Sequence, residues 1–305
     1  MLDCHKQFPN PCIFAGGAWK WGSFAARNNC SLEASRIQLD ECCKKGIGRV
    51  MVTSWGDDGA EASQFAALAT ILYFAERCYH DEVDDAWLNV RSNCCFSISY
   101  ENLLLFDLPD SLTGAYPNPG ELPANPCKYL LYNDLFERLM DCQVDRTTAG
   151  EEYRCHAEKL LGMKDHDVFG YAFETLGHLC ELLSVKCDMG LRIFEAYQAD
   201  KMDVLLKIAE QEIPFALNAL NDFLNAFRKQ WYFENKTFGF TMQEIRLGGL
   251  AERIRSCQNR LIGYINGDFE QIEELEQPAL PMAPSKNGEY SRLGKWSKIV
   301  ATGIY

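Results

Sequence analysis

Two short apolar runs near the start of the chain constrain its fold more than any other feature. Residues 12–15 (CIFA) and 49–54 (RVMVTS) are each followed by a helical pattern, which predicts consecutive βα units of a parallel sheet. The second run is apolar and β-branched, as a strand buried on both faces is. Because two βα units leave sheet edges and apolar faces uncovered, we expect further strands to complete the sheet.

A helix is predicted after each strand. The first covers residues 32–45, with Ser31 as its N-cap and Gly46 just past its end. The second covers residues 60–79, where apolar side chains recur at helical spacing. Both helices would lie on the sheet, as in an α/β barrel.

From Asp81 onward the strand pattern disappears. Helical periodicity predicts helices over residues 81–93, 132–142, 149–161, 168–197, 201–234 and 241–266. Pro214 should kink or split the helix that contains it. The sequence therefore predicts an α/β domain over residues 1–80 and an all-α domain over residues 81–305.

Composition excludes several classes of partner and site. The net charge of −13 would repel a nucleic acid, and the only cluster of arginines is predicted to form a solvated or salt-bridged helix face. These arginines are Arg246, Arg253, Arg255 and Arg260. No apolar run is long enough to span a membrane and no leader pattern is found, so we expect a cytoplasmic protein. The 14 cysteines show no ligand spacing, which predicts buried reduced thiols, with no metal and no cofactor.

Aromatic and acidic side chains follow both predicted strands. Trp19 and Trp21 follow the first, and Trp55, Asp57 and Asp58 follow the second. Active sites of parallel α/β barrels form at the carboxyl ends of strands. Indole rings stack on the apolar face of a sugar, and carboxylates accept hydrogen bonds from its hydroxyls. The pattern suits a sugar site, although Trp19 and Trp21 could equally be core or interface anchors.

Four segments resemble family 20 β-N-acetylhexosaminidases. Residues 14–28 (FAGGAWKWGSFAARN) and 52–61 (VTSWGDDGAE) resemble the ends of the seventh and eighth barrel strands. Residues 125–134 (NPCKYLLYND) and 245–257 (IRLGGLAERIRSC) resemble the helical domain that follows the barrel in one subgroup. The resemblance implies α/β plus all-α architecture: the last two βα units of a (β/α)8 TIM barrel, then a C-terminal helical bundle. It also implies a glycan ending in N-acetylhexosamine as the substrate.

The same resemblance implies roles for single residues. Trp55 would form part of the wall around the sugar ring, and Asp57 would bind its outer hydroxyls. Trp21, and on a weaker match Trp19, would contact the sugar from the neighbouring loop. Asp58 is a further candidate contact, although it could instead cap the following helix.

The family's catalytic pair is expected outside this chain. Family 20 enzymes use the substrate's own acetamido oxygen as the nucleophile, yet still need an adjacent Asp and Glu. The resemblance places that pair at the end of the fourth strand, upstream of residue 1, so no catalytic residue is predicted here. Glu61 fits the positive end of the next helix, a structural role. We therefore expect the chain to be inactive or nearly so by itself.

Other interpretations stay open. The chain could be a non-catalytic helical interaction protein that docks on a partner which completes the barrel. It could also be an unrelated small α/β enzyme that uses Asp57 or Asp58. A homodimer or a complementing chain is compatible with each of these, because the uncovered strands favour association.

Overall fold

The computed structural model describes residues 2–5, 7–112, 125–139, 141 and 148–278. The chain divides into two compact units, Met1–Leu108 and Pro109–Tyr305. Helices account for most of the described residues, and two strands form the one sheet seen among them. The helical character of the protein is confirmed, whereas the described part of the chain contains no complete barrel.

The first unit contains the two predicted βα units. Its elements are α1 Leu2–His5, β1 Phe14–Gly17, α2 Asn28–Lys44, β2 Val50–Thr53, α3 Leu68–Arg77, α4 Asp85–Phe96 and α5 Tyr100–Leu104. The strands pair in parallel, with Phe14 opposite Val50 and Gly17 opposite Thr53. Helix α2 connects them, which confirms the βαβ arrangement read from the sequence.

The two faces of the sheet differ. Helix α3 covers one face so closely that a Cβ atom on Gly16 would lie 2.8 Å from the Phe74 ring. On the opposite face Ala15 pairs with Met51, and both side chains are exposed. The prediction that the second strand is buried on both faces is therefore wrong for the described chain, because no element in it covers this second face.

Two helices begin elsewhere than predicted. Helix α2 starts at Asn28, ahead of Ser31, whose hydroxyl accepts the backbone N–H of Trp19 at 3.0 Å instead of capping the helix. Helix α3 starts only at Leu68: Ala60, with φ of 51°, lies outside the right-handed helical region, and residues 64–67 form turns. A long loop over residues 54–67 therefore follows β2.

The second unit is helical. Its elements are α6 Pro126–Tyr132, α7 Ala149–Leu161, α8 Gly170–Lys186, α9 Met189–Gln198, α10 Met202–Lys207, α11 Ile213–Glu234 and α12 Phe240–Asn266. A short 3-10 turn over Leu105–Asp110 begins in the first unit and runs into the second, and another covers Glu273–Glu276. The predicted helices over residues 149–161 and 241–266 are confirmed almost to the residue.

Two predicted helices need correction. Residues 133–139 form turns rather than helix, because Asp134 accepts the backbone N–H groups of Phe136 and Glu137 at 2.8 and 3.0 Å. Such local bonds compete with the helix. The rest of that prediction falls largely outside the described residues. The predicted helix over residues 168–197 is two helices, α8 and α9, which break at Asp188.

Pro214 interrupts its helix as predicted. Proline has no N–H to donate to a carbonyl one turn earlier. A π turn over Ile208–Glu212 directly precedes it and separates α10 from α11. The widened turn accommodates the proline without ending the helical run.

Aromatic rings fill the helical core. Fully buried examples are Tyr132, Phe136, Tyr153, Phe173, Phe223, Phe227 and Phe240. Phe227 stacks on Phe223 and meets Phe240 edge-on, with ring centroids 5.8 and 5.5 Å apart. These contacts hold the end of α11 against the start of α12.

Two predictions about surface chemistry can be checked directly. The salt-bridged arginine face is confirmed at three positions, Arg253, Arg255 and Arg260, each of which pairs with a carboxylate. The prediction of buried thiols holds only for Cys42, Cys127, Cys180, Cys187 and Cys257; most other cysteines of the described chain are exposed. None of the helices in the described ranges has the length and apolar character needed to cross a bilayer.

Candidate functional site

The loops that follow β1 and β2 begin side by side. The backbone N–H of Ala18 donates to the Thr53 carbonyl at 2.8 Å, and the Ser54 hydroxyl donates to the Ala18 carbonyl at 3.1 Å. Further along, Gly22 N–H donates to the Asp57 carbonyl at 3.1 Å. These bonds extend the pairing past the strands and bring together the two segments that carry the predicted site residues.

The first loop contains a stacked pair of indoles. The rings of Trp19 and Trp21 lie 5.0 Å apart at 8° to each other, and Trp19 Nε1 donates to the Trp21 carbonyl at 2.9 Å. The Arg27 guanidinium lies over the Trp19 ring, 4.8 Å from its centroid. Both tryptophans are half-buried. The contacts of Trp19 are thus with its own loop, and its ring supports that of Trp21.

Trp21 lies directly on the end of β1. A Cβ atom on Gly17 would come within 3.0 Å of the Trp21 ring, so only glycine leaves room for the indole in this position. Gly17 pairs with Thr53 at the end of β2. The indole therefore lies at the carboxyl end of the sheet, where the sequence predicts the site.

Trp55 is the most exposed of the predicted aromatic residues. Its ring is 58% exposed, and its Nε1 donates to the Thr53 hydroxyl at 3.0 Å. That hydroxyl donates in turn to the Gly16 carbonyl at 3.0 Å. The bonds hold the indole close to the strand end and leave most of its apolar surface open for a ligand.

Asp57 and Asp58 stand in a tight turn. Asp57 is exposed, whereas Asp58 is half-buried with φ of 59°, in the left-handed region. Asp58 cannot cap α3, because that helix begins ten residues later, at Leu68. The prediction that Glu61 lies at the positive end of this helix is wrong for the same reason, because α3 begins at Leu68. The turn presents the Asp57 carboxylate to solvent beside Trp55.

Two buried charged residues lie in these loops; sequence reasoning missed Lys20 altogether and did not predict the burial of Glu61. Glu61 is 3% exposed and Lys20 is 4% exposed, and each has a polar or electrostatic partner. Lys20 stands between the two tryptophans in sequence, so its burial gives the loop a fixed polar centre. A lysine flanked by two aromatic residues was the one available signal.

A buried carboxylate fixes the start of α2, just beyond the tryptophan loop. Asp107 accepts the backbone N–H groups of Asn28 and Asn29, both at 2.8 Å, and their side-chain amides at 2.9 and 3.0 Å. The Asn28 amide also donates to the Ala66 carbonyl at 2.8 Å. Asp107 therefore caps a helix from a distant part of the chain and ties the loop after β2 to the same point.

In the second unit, a salt bridge joins the two segments that resemble the family's helical domain. Arg253 Nε contacts the Asp134 carboxylate at 2.6 Å, and the Asp134 side chain is almost fully buried. Lys186 is buried nearby and donates to the carbonyls of Leu130 and Asn133 at 3.0 and 2.7 Å. The cluster links α6, α8 and α12.

The same cluster contains a carboxyl group with a shifted titration. Burial raises the pKa of Asp141 to about 7, against the opposing influence of Arg138 and a hydrogen bond from Asn133. Burial also lowers the pKa of Lys186 to about 8. Both groups are buried in the helical unit, so we assign them a structural role.

Neither unit offers a metal centre in its described part. The described residues contain no group of three or more His, Cys, Asp or Glu side chains that could hold an ion. The side chains described at the strand ends offer aromatic stacking and hydrogen bonding by carboxylates.

Comparison with known proteins identifies the helical part of the chain. Residues 101–294, more than half of the chain, match the family model described as Glycoside Hydrolase 20C C-terminal domain. The match includes both helical segments joined by the bridge between Asp134 and Arg253. No curated protein matches the chain.

Proposed function

Because the chain belongs to the glycoside hydrolase 20C family through that family's C-terminal domain, we propose that it acts in the hydrolysis of terminal β-linked N-acetylhexosamine. The observation that carries the proposal is that the chain with this helical domain also has aromatic and acidic side chains at the carboxyl ends of two parallel strands. That is the position at which α/β barrels bind their substrates.

Trp55 and Asp57 are the proposed sugar contacts of the second loop. The exposed indole of Trp55 offers an apolar surface to a pyranose ring, and the exposed carboxylate of Asp57 accepts hydrogen bonds from ring hydroxyls. Their separation by a single glycine, Gly56, lets one turn present both groups.

Trp21 is the proposed contact of the first loop. It lies on Gly17 at the strand end, with Trp19 stacked against it. Trp19 then contributes to the sugar site by holding Trp21 in place. The Arg27 guanidinium lies over the Trp19 ring. Asp58 has the weakest claim to a sugar contact, because the left-handed turn leaves it half-buried.

Catalysis in this proposal needs a group that these two loops do not provide. The substrate's acetamido oxygen attacks the anomeric carbon, and a carboxylic acid gives its proton to the departing glycosidic oxygen. The family resemblance assigns this acid to the end of the fourth barrel strand, whereas the two described strands resemble the seventh and the eighth. We propose that the acid comes from strands outside this chain.

The surface of the first unit supports that view. A groove of about 760 Å³ runs beside β1, and apolar side chains contribute much of its wall. They include Phe8, Pro11, Ile13, Phe14, Ile37 and Ile47. An uncovered strand edge next to an apolar groove is a place where a further βα unit would pack.

The test is hydrolysis of a chromogenic β-N-acetylglucosaminide. One sample is the 305-residue chain and the other is the same chain joined to the first six βα units of a family barrel. We expect turnover by the joined protein only, with the chain alone slower by at least about 10²-fold. Enzyme-like turnover by the chain alone would show that the acid lies within it.

A second candidate function is supported by the same groove. The chain could serve as a non-catalytic helical protein that docks on a partner through the open edge of β1. In that case the joined protein would also fail to hydrolyse the substrate. The wild-type chain would bind a native partner, and the groove variant Ile37→Asp would not bind it.

A further inference from the structure

A second groove of the first unit lies at the end of the sheet opposite the tryptophan loops. Helix α2 leaves the carboxyl end of β1 and ends before the amino end of β2, so its second half lies near the amino ends of the strands. Between this half of α2, the end of α3 and the start of α4 is a groove of about 660 Å³, within the roughly 300–1,000 Å³ of small-molecule sites. We call it the Trp87 groove. Its walls include Arg36, Asp40, Tyr73, Arg77, Asp81 and Trp87.

The indole of Trp87 is held in a fixed orientation. Its Nε1 donates to the Glu76 carboxylate at 2.8 Å, and the same carboxylate accepts the Nε–H of Arg91 at 2.8 Å. The His80 ring packs against the indole, with ring centroids 5.5 Å apart. Trp87 is nevertheless 42% exposed. The groove therefore contains an apolar aromatic surface whose orientation is set before a ligand binds.

Two guanidinium groups are fixed beside the indole. The Arg77 side chain is 8% exposed and donates to the Asp40 carboxylate at 2.6 Å. The Arg36 guanidinium lies over the Tyr73 ring, 5.6 Å from its centroid, and contacts Asp85 at 3.1 Å. A guanidinium has five N–H groups. Because the Arg36 side chain is half-exposed, it keeps donors for a ligand while its position is held.

Exposed acceptors line the same groove. Asp81 and Glu82, in the turn between α3 and α4, are exposed, and their carboxylates form no hydrogen bond or ion pair in the part of the chain that the structure describes. The Asp84 carboxylate fixes this turn, because it accepts the backbone N–H of Trp87 at 2.7 Å and caps α4. The Trp87 groove thus presents both donors and acceptors around one indole.

A buried hydroxyl lies behind the wall of the groove. Tyr100 is 2% exposed, and its OH has no hydrogen-bond partner among the described residues. Burial raises the pKa of this hydroxyl, on which Asp85, Arg36 and Tyr73 also act. Because Arg36 and Tyr73 line the groove, the hydroxyl lies on the groove side of α5. Buried hydroxyls are ordinarily hydrogen-bonded, so a polar ligand group or an ordered water is the partner expected here.

We infer that the Trp87 groove binds a neutral sugar residue. A pyranose ring has an apolar face that stacks on an indole, and hydroxyls that need donors and acceptors together. Trp87 supplies the stacking surface, Arg36 supplies donors, and the carboxylates of residues 81 and 82 supply acceptors. An anion would be repelled by these carboxylates, and a cation would leave the guanidinium donors unused. Sugar binding here is separate from the strand ends and does not require the hydrolysis proposed above.

Isothermal titration calorimetry of the 305-residue chain with the β-1,4-linked tetramer of N-acetylglucosamine tests this site. We expect saturable binding by the wild type and at least a tenfold rise in the dissociation constant for Trp87→Ala, which removes the stacking surface. Tyr79→Ala is the matched control and should bind as the wild type does, because Tyr79 is 86% exposed and lies outside the groove. A wild type without saturable binding would overturn the inference, and so would an unchanged dissociation constant in Trp87→Ala.

A double variant guards against a folding defect in Trp87→Ala. Asp81→Ala with Glu82→Ala removes two acceptors that have no partner within the described ranges, so the circular dichroism should stay unchanged while the dissociation constant rises at least a few-fold. The matched control is Asp165→Ala with Asp167→Ala, which removes two exposed carboxylates of the second unit. Equal affinity of the two double variants would overturn the assignment of the acceptors.

Trp55→Ala separates this site from the strand ends. It should leave the binding that depends on Trp87 unchanged. A dissociation constant that rises in Trp55→Ala and stays constant in Trp87→Ala would overturn the inference and leave the proposed function in place. Failure of the joined protein to hydrolyse its substrate would have the opposite meaning, since binding at Trp87 would persist.

The matching tetramer of glucosamine tests the charge of the ligand. It has the same rings but carries ammonium groups in place of the acetamido groups. We expect it to bind no more tightly than the N-acetylated tetramer, whose affinity should change little with added salt. Tighter binding of the glucosamine tetramer that weakens as salt is added would assign the groove to cations and overturn the choice of a neutral sugar.

Discussion

The two units of the chain differ in which side chains they expose and which they bury. The first unit leaves Trp55 and Met51 open at a sheet in which the described chain has two strands. The second unit encloses the charged groups of Asp134 and Lys186 among helices and provides each of them with hydrogen bonds. Open apolar groups at strand ends suit binding, whereas buried and paired charges suit a fixed scaffold.

The largest effect is expected from Asp134→Ala in the second unit. The change leaves Arg253 without its buried partner and removes the acceptor for Phe136 and Glu137 N–H. Losing one partner of a buried pair costs about 3–5 kcal/mol of unfolding free energy. Urea denaturation followed by circular dichroism measures it. Glu252→Ala, which breaks an exposed pair with Arg255, is the control and should cost under ~1 kcal/mol.

The first unit also has a buried and fully hydrogen-bonded carboxylate, Asp107, at the start of α2. Asp107→Ala removes four hydrogen bonds at the start of α2 and should cost about 2–3 kcal/mol. Hydrogen exchange should show faster exchange across α2, while α7 and α8 keep their protection. Asp85→Ala, at an exposed bridge to Arg36, should leave α2 unchanged. Equal loosening of both units would mean that they do not unfold separately.

Asp141 should make the second unit sensitive to pH. Because burial raises its pKa to about 7, the folded state keeps a proton that the unfolded chain releases near the ordinary value of 3.8. This contribution is complete below that lower value and is lost as pH rises through about 7. Asp141→Asn should therefore gain stability over the wild type by about 3 kcal/mol as pH rises from ~4 to ~7.

Urea denaturation at several pH values provides the measurement for Asp141. Lys186 does not interfere, because its pKa of about 8 keeps it protonated below neutral pH. Asp167→Asn, at an exposed position, is the control. Parallel stability profiles for the wild type and Asp141→Asn would contradict the raised pKa.

The smallest effect is expected in the tryptophan loop. Arg27→Met removes the cation from the Trp19 ring and should cost about 0.5–1 kcal/mol. The near-ultraviolet circular dichroism of the stacked indoles should weaken with it. Arg36→Met, which removes a guanidinium from over the Tyr73 ring, should leave the indole signal intact. An unchanged signal in Arg27→Met would show that the loop holds Trp19 without Arg27.

Much of the fold follows from periodicity and single residues. Helix α7 was predicted to the residue because its apolar spacing is regular and uninterrupted. The break before α11 could be predicted from Pro214 for a purely local reason, because proline has no backbone N–H. The failures came where distant or irregular contacts decide. Asp107 caps α2 from beyond α5, and no local pattern at Ser31 reveals it.

The candidate site was predicted in the same uneven way. The loop that carries Trp21 lies beside the second loop because β1 and β2 pair in parallel, which brings their carboxyl ends together. The support of Trp21 by Trp19 and Arg27 depends on the folded path of the loop, which the letters AWKWG do not specify. The late start of α3 depends on backbone angles at residues 58–60, which again lie beyond a pattern of apolar spacing.

The most direct test of the central claim compares two neighbouring carboxylates. In the chain joined to the first six βα units, Asp57→Ala and Asp58→Ala are assayed on the same chromogenic β-N-acetylglucosaminide. We predict that Asp57→Ala lowers kcat/KM by roughly 10²-fold, the loss of about 2–3 kcal/mol from charged hydrogen bonds to the sugar, and that Asp58→Ala stays within a few-fold of the wild type. Equal activity of Asp57→Ala and the wild type would contradict a sugar site at the ends of these two strands.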